Sequence, residues 1–392
     1  MSEKRRVAIT GMGVISPVGT GRDAFWKGLH APQPEGERRA NDFDPSHFYK
    51  DSKAIRRADR FEQFAVAATQ EALAQSGRLT AEPERIGVMI GTGVGGVLTH
   101  EEQTIVLHEK GGRRVSPFTI PMMMPNSGAA AVSIANGCQG PCETVSTACA
   151  SGTNAIGQAM QWIQWGICDA VLAGGAEAGM SPIAVNGFRN MKAMSPAGRS
   201  RPFDEARDGF VLSEGAGIFV LEEWTMAKAR GATILGEVLG SASLADAHHI
   251  TAPAPEGRGA IRCMTRALED AGLAASDVAH VNAHGTSTPL NDAAEAQGIV
   301  ELFGIPGPIV TSIKGVTGHS LGAAGALEAA SVVLSMQHKM IPPTDGLETF
   351  DPALPKIDVV QKEARAWEPG ISLSNSFGFG GHNGTLVIGP PE

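Results

Sequence analysis

Short, mostly apolar runs recur along the chain beside glycine-containing turns: Val7–Thr10, Ile86–Ile90, Ala170–Ala173, Ile218–Leu221, Val278–Asn282, Ile309–Ser312 and Thr385–Ile388. Their length and composition predict buried strands. Between them, apolar residues recur at spacings of three and four, as in Phe61, Phe64, Ala65, Ala68, Ala72 and in Ile261, Met264, Ala267, Leu268, Ala271, which predicts helices. Alternation of the two patterns over the whole length predicts a layered α/β fold. No stretch of about 18 apolar residues occurs, so no membrane-spanning helix is expected. The basic start MSEKRR runs into VAITGMGVISPVG, but Gly11, Gly13 and Pro17 interrupt the apolar stretch, which reads as a strand and turn rather than a secretory signal.

One internal echo stands out. TVSTACASGTNA (144–155) and KGVTGHSLGAAG (314–325) share Thr-x-[Cys/His]-x-x-Gly ahead of a run of small residues. A real repeat would divide the chain into two similar halves meeting near Ala229–Gly231, each with a reactive residue at a helix N-terminus; strings this simple also match by chance.

Composition narrows the reading. A length of 392 residues allows two or three domains, and 19% charged against 42% hydrophobic residues excludes a disordered chain. With 49 glycines and only 5% aromatic residues, closely packed helices and strands are expected. The balance of 32 basic and 41 acidic residues gives −9, a field that repels polyanions, so nucleic acid is not an expected partner. Five cysteines, few and odd in number, fit a reduced cytoplasmic setting better than a disulfide framework.

Cys149 opens a predicted helix running to Trp162, where unpaired backbone N–H groups and the helix dipole favour a thiolate; a small buried hydrophobe fits the same context. His284 follows the strand Val278–Asn282, at a strand end where α/β folds place reacting groups, and His319 lies five residues after Lys314. Either histidine alone could be structural, while the two with Cys149 suggest a Cys/His/His site. In NSFGFGGHNG (375–384) four glycines suit a loop that supplies a backbone N–H to an oxyanion or moves as a gate, or an ordinary turn. Cys138 and Cys142 lack the partner ligands of a zinc site, and Gly11-Met12-Gly13 lacks the third glycine and the acidic residue of a dinucleotide fingerprint.

Together STACASG, NAHGTSTPLND, KGVTGHSLGAAGALE and NSFGFGGHNG resemble the β-ketoacyl-acyl-carrier-protein synthases, the condensing enzymes of fatty-acid synthesis. The likeness extends to VAITGMGVISPVG, GTGVGG (91–96), AGGAEA (173–178) and SRPFDEARDGFVLSEGAG (200–217), nearly the whole chain in order. It implies a thiolase-like five-layer α-β-α-β-α sandwich, with an N-terminal half (1–230) carrying the nucleophile, a C-terminal half (231–392) carrying both histidines, and a homodimer. It implies decarboxylative condensation of an acyl-enzyme with malonyl-acyl carrier protein, with no cofactor beyond the phosphopantetheine carried by that partner. Cys149 then matches the acyl acceptor, His284 and His319 the enolate-stabilising pair, Lys314 the lysine supporting His319, and Glu328 an acid in the same network. Thr286 and Thr288 match hydroxyls along the pantetheine arm, and Phe379 the gate whose N–H completes an oxyanion hole with that of Cys149. Val94 and Met124 match acyl-pocket positions, Met124 from across the dimer interface. The acidic carrier calls for a basic patch, for which KAIRRADR offers Lys53, Arg56, Arg57 and Arg60. Two readings remain beside elongation: a non-condensing chain-length-factor-like subunit, against which the presence of Cys149 speaks, and a specialised lipid or polyketide synthase. Met122-Met123-Met124 and His382 depart from the family pattern and leave acyl preference open.

Overall fold

The computed structural model describes residues 4–34 and 37–391. Every apolar run expected to be a strand coincides with one, Ile309–Ser312 overshooting its strand by Ser312 alone, and ten strands frame the molecule. They are β1 (Val7–Ser16), β2 (Ile86–Gly91), β3 (Cys142–Val145), β4 (Ala170–Glu177), β5 (Gly215–Glu223), β6 (Gly236–Ala245), β7 (Val278–Asn282), β8 (Ile309–Thr311), β9 (Ile371–Gly378) and β10 (His382–Gly389). The first five pair in the order β3-β2-β4-β5-β1 and the last five in the order β8-β7-β9-β10-β6. In each order the first three strands are mutually parallel, the fourth (β5 or β10) pairs antiparallel with both its neighbours, and the fifth (β1 or β6) runs in the direction of the first three, so strand order and direction repeat between the halves. Antiparallel pairing of Ala8 with Glu237 and of Ile9 with Gly236 joins β1 to β6 and makes one continuous sheet.

Six helices complete five layers. Helices α1 (Arg60–Ser76) and α2 (Ser127–Asn136) cover the outer face of the first strand set, α4 (Arg258–Ala271) and α5 (Pro289–Phe303) that of the second, and α3 (Ser151–Gln164) and α6 (Ala324–His338) lie between the two. The periodic sets read from the sequence fall within α1 and α4, with Phe61, Phe64, Ala65, Ala68 and Ala72 fully buried. Helices α3 and α6 touch both strand sets and each other, so they are buried almost all round rather than along one stripe.

The glycine-rich composition serves this packing. Gly13 lies on β1 beneath α1, and a Cβ there would stand 1.9 Å from the carbonyl oxygen of Ala68. That close approach, rather than a dinucleotide loop, is the use of the Gly-Met-Gly segment, which is strand throughout. Gly325 similarly lets α6 meet Thr153 of α3, whose Oγ1 would lie 1.9 Å from an added Cβ.

Three strands escaped the pattern. β3 is a short edge strand, β6 mixes glycine, serine and alanine, and β9 (ISLSNSFG) turns Ser372, Ser374 and Ser376 into the protein on one face. The expected loop at 375–384 is thus mostly β9 and β10, with only the turn Phe379–Gly381 between them.

Because neither Ala68 nor β1 can yield without disturbing the layers, Gly13→Ala should cost about 1–3 kcal/mol of stability. Gly187→Ala, in the helix Pro182–Asn190 with nothing within 4 Å of the added Cβ, should be neutral or stabilising by up to ~1 kcal/mol. Denaturant midpoints at unchanged m-value test the contrast, and equal shifts for both would refute it.

Candidate active site

Cys149 sits in the one-turn 3-10 segment Ala148–Ala150 that links β3 to α3. Ala148 takes a φ of 50°, so the chain bends sharply just before the thiol. The Ser151 hydroxyl ties the bend by donating to Ala148 O at 2.6 Å and accepting from Thr147 N at 2.9 Å. His319 arrives from the other half, ahead of the turn that opens α6. Its backbone is clamped by Val211 and Ser213 (His319 N to Val211 O 2.7 Å, Ser213 N to His319 O 3.0 Å). Nε2 of His319 lies 3.0 Å from Cys149 Sγ. His284 follows the C-terminal end of β7, and its ring stands 5.3 Å from that of His319 at 84°.

A buried carboxylate fixes the loop that carries His284. Glu295 of α5 accepts from His284 N and Gly285 N, both at 2.8 Å. Burial pushes its carboxyl up to about 7 against those donors. Glu177, at the end of β4, plays the same part in the first half. It accepts from Thr92 Oγ1 (3.0 Å), Gly93 N (2.6 Å), Val94 N (3.3 Å) and Gly322 N (3.0 Å), and burial again raises it to about 7.

Lys314 is expected from the resemblance to support His319, but its hydrogen bonds go to His284. Nζ donates to His284 O at 2.7 Å and to His284 Nδ1 at 3.3 Å, and it pairs with Glu328 Oε1. Three acceptors match the three donors of an ammonium. With Nδ1 of His284 accepting, its proton sits on Nε2, the nitrogen left for the site. His319 differs, because Nδ1 has no hydrogen-bond partner among the described residues.

Burial, and then the Lys314 ammonium, hold both imidazoles well below the usual histidine range, so both are neutral. Burial also pushes the Cys149 thiol up to about 11, although Lys314 and the Phe379 N–H pull it down. The thiolate expected from the helix N-terminus is therefore not the resting form: desolvation outweighs the helix end.

Phe379 occupies the turn between β9 and β10, and its backbone N–H points at Cys149 Sγ. Gly378 packs against Cys149 N, where an added Cβ would stand 2.9 Å away and cover that donor. A cavity of about 430 Å³ opens over these groups, and Val94, Thr286 and Thr288 line it with Cys149, His284 and His319. The two threonine hydroxyls bond each other at 2.9 Å. Met124 follows the short helix Thr119–Met123 on the surface, 40% exposed, and is not among the residues lining the cavity. Lys53, Arg56 and Arg57 are exposed, with the Arg57 guanidinium 4.2 Å over the Phe118 ring. Arg60 leaves that patch, turning inward to bond the buried carboxylate of Glu214.

Several contributors were not singled out from the sequence. Glu177 lies inside the quoted AGGAEA and Glu295 three residues beyond NAHGTSTPLND, but only the folded chain shows which N–H groups they face. Phe210 packs edge-on against His319 at 5.3 Å, and Phe188 against Phe210 at 5.4 Å. Lys192, exposed and with a φ of 59°, brings a cation to the cavity wall.

Comparison with known proteins places this arrangement. Residues 30–227 match the β-ketoacyl synthase N-terminal domain and residues 235–348 the β-ketoacyl synthase C-terminal domain. The chain belongs to the β-ketoacyl synthase family. It is 43% identical to a 3-oxoacyl-[acyl-carrier-protein] synthase 2 of Synechocystis sp., over 98% of each chain. It is 42% identical to the Staphylococcus aureus (strain COL) protein of the same name, over 99% of each. Among solved structures it resembles a β-ketoacyl synthase from Burkholderia phymatum STM815 (TM-score 0.90, 36% identity, 99% of this chain and 100% of that one). It also resembles the ishigamide ketosynthase/chain length factor (TM-score 0.93, 32% identity, 100% of both chains). A third likeness is to a type II PKS acyl-carrier protein in complex with its ketosynthase bound to the hexaketide (TM-score 0.88, 30% identity, 100% of both chains). Like its family, the chain is a condensing acyltransferase with the five-layer fold.

The thiolate is the nucleophile, and its fraction grows about tenfold per pH unit below the pKa. Alkylation of Cys149 by iodoacetamide, followed by peptide mass spectrometry, should therefore keep rising between pH 7 and pH 10. A plateau reached by pH 8 would contradict the burial-raised thiol.

Proposed function

We propose that this chain elongates fatty acyl groups by condensing an acyl-Cys149 thioester with malonyl-acyl carrier protein, with loss of carbon dioxide, to give a 3-oxoacyl carrier two carbons longer. The observation that carries the reading is the convergence of Cys149 Sγ, His319 Nε2 at 3.0 Å and the neutral His284 beneath one cavity, with the Phe379 N–H aimed at the thiol.

In the first half-reaction Sγ attacks the carrier-bound thioester. Nε2 of His319 accepts the thiol proton and returns it to the departing carrier thiol, so the proton count closes. The oxyanion formed on the way faces two N–H donors, those of Cys149 and Phe379, in a buried site. In the second half-reaction the malonyl carboxylate leaves as carbon dioxide, and its bonding pair becomes an enolate on the thioester. His284 meets that charge with an Nε2–H fixed by Lys314. The free Nδ1 of His319 lets its ring meet it in the Nε2–H tautomer as well. Attack on acyl-Cys149 expels the thiolate, and one proton from solvent restores the thiol. The two histidines thus differ: one is locked as a donor, the other can accept in one half-reaction and donate in the next.

Thr286 and Thr288 stand where a pantetheine amide would pass through the cavity, and Val94 lines its wall. Met124 would line an acyl tunnel only from a neighbouring copy. A homodimer is supported by β3, an edge strand with exposed Cys142 and Glu143, together with exposed Ile120, Ile134 and Met124 on nearby segments. Lys53, Arg56 and Arg57, with Lys192 at the cavity, form the basic surface for an acidic carrier. Phosphopantetheine delivered on that carrier is the only prosthetic group the scheme uses. The five free cysteines and the absence of a membrane-crossing helix among the described residues support a cytoplasmic enzyme. Identity of 42–43% to 3-oxoacyl-[acyl-carrier-protein] synthases 2, against 32% to the ishigamide ketosynthase/chain length factor and 30% to the type II PKS ketosynthase, favours elongation over a specialised pathway.

Cys149→Ala should abolish acyl transfer and condensation yet retain decarboxylation of malonyl carrier. His284→Ala should lower decarboxylation by roughly 10²–10³ as a preorganised donor is lost, while acylation of Cys149 survives. Decarboxylation at the parental rate in His284→Ala, or condensation by Cys149→Ala, would overturn the assignment.

A further inference from the structure

Cys149, His284 and His319 present a set of metal donors as well as a catalytic triad. One ligand atom from each lies within 4.8 Å of the others, all three residues are buried, and the cavity leaves a fourth side open. Around a tetrahedral zinc, with bonds of about 2.3 Å to sulfur and about 2.0 Å to nitrogen, donor atoms stand roughly 3.5 Å apart. The observed Sγ to Nε2 separation of 3.0 Å needs only small movement to reach that value. Thiolate and imidazole are both zinc donors, and three protein ligands with a fourth position open to water is the arrangement of catalytic zinc sites. In a cell containing zinc, such a set is a liability for an enzyme that needs the same three atoms free.

We propose that Lys314 keeps divalent metal out of the Cys149–His284–His319 set, so that the triad is a latent zinc site closed by the lysine beneath it. Two features of the geometry carry this. First, Nζ donates to Nδ1 of His284 at 3.3 Å, which leaves the proton on Nε2, the atom a metal would need. Moving that proton to Nδ1 would set two donors face to face. Second, the ammonium is fixed directly behind the ligand. It is held by Glu328 and by the carbonyl of His284 at 2.7 Å, so it cannot swing away when a dication approaches. A neutral histidine normally gains metal affinity from a carboxylate or carbonyl that accepts its second N–H. Here that position is filled by a donor, the reverse of a supporting outer shell. Binding would also need Cys149 to release its proton to solvent as the metal–sulfur bond forms.

Cobalt(II) is the probe, because thiolate ligation gives an intense charge-transfer absorption and tetrahedral geometry strong visible bands. Full-length parent, Lys314→Met/Glu328→Gln (which leaves no lone buried charge) and the same double variant with Cys149→Ser are titrated after chelator treatment. The double variant should bind one cobalt per chain with both spectral signatures, at a half-saturation about 10²-fold below the parent's, the scale of an outer-shell change. The Cys149→Ser version should lose the charge-transfer band. Lys314→Met alone, whose Glu328 can take up a proton, serves as a second variant if the double one does not fold. Equal cobalt affinity in parent and folded variants, or no thiolate–cobalt band in either, would overturn the proposal. Because the readout is a spectrum, that failure is distinct from a failure of the condensation reading.

Discussion

One ammonium group buried beneath two imidazoles sets the state of the whole site. Lys314 is 1% exposed, and its charge is balanced by Glu328, itself within the core. Losing Glu328 alone would leave the ammonium uncompensated, at a cost of about 3–5 kcal/mol, whereas Glu328 without the lysine can take up a proton because burial raises its carboxyl. The same hydrogen bonds give His284 its tautomer, and the same charge helps keep both histidines neutral. A neutral pair suits a reaction in which negative charge develops on an enolate and no strong base is required: a buried N–H donor acts without first having to lose a proton.

The two halves together create that burial. The nucleophile enters at the start of α3 and His319 at the start of α6, the two helices enclosed between the strand sets. Their mutual approach depends on small side chains, with glycine at 325 where Thr153 crosses. Each half also spends one buried carboxylate on backbone N–H groups beside the site, Glu177 under the Gly93–Val94 loop and Glu295 under His284–Gly285. Desolvation therefore has two effects. It raises the thiol and holds it protonated at rest, and it strengthens every fixed donor that meets charge during turnover.

How much of this the sequence made legible depends on the range of the interaction. The strands Val7–Thr10, Ile86–Ile90 and Ala170–Ala173 are local apolar runs and were readable as such. β9 was not, because its inward face is serine and its glycines resemble a loop. Cys149, His284 and His319 were legible because each sits in a distinctive motif, and the folded chain brings them together. Lys314 was legible as a member of the site, but its hydrogen-bond partner was not: five residues separate it from His319 in sequence, yet thirty separate it from His284, which it bonds, while its charge acts on both rings. Arg60 belongs with Arg56 and Arg57 in sequence and with Glu214 in space. Met124 illustrates a third range, since its expected place in the site needs a second copy of the chain.

The central claim is that Lys314 locks His284 as a neutral Nε2–H donor, and the most direct measurement is nitrogen NMR of the ring with ¹⁵N-labelled histidine. At neutral pH the His284 Nε2 should show the shift and coupling of a protonated nitrogen and Nδ1 that of an acceptor. In Lys314→Met/Glu328→Gln this preference should weaken as the donor to Nδ1 is lost. A ring protonated on Nδ1, doubly protonated, or unchanged by the substitution would contradict the account.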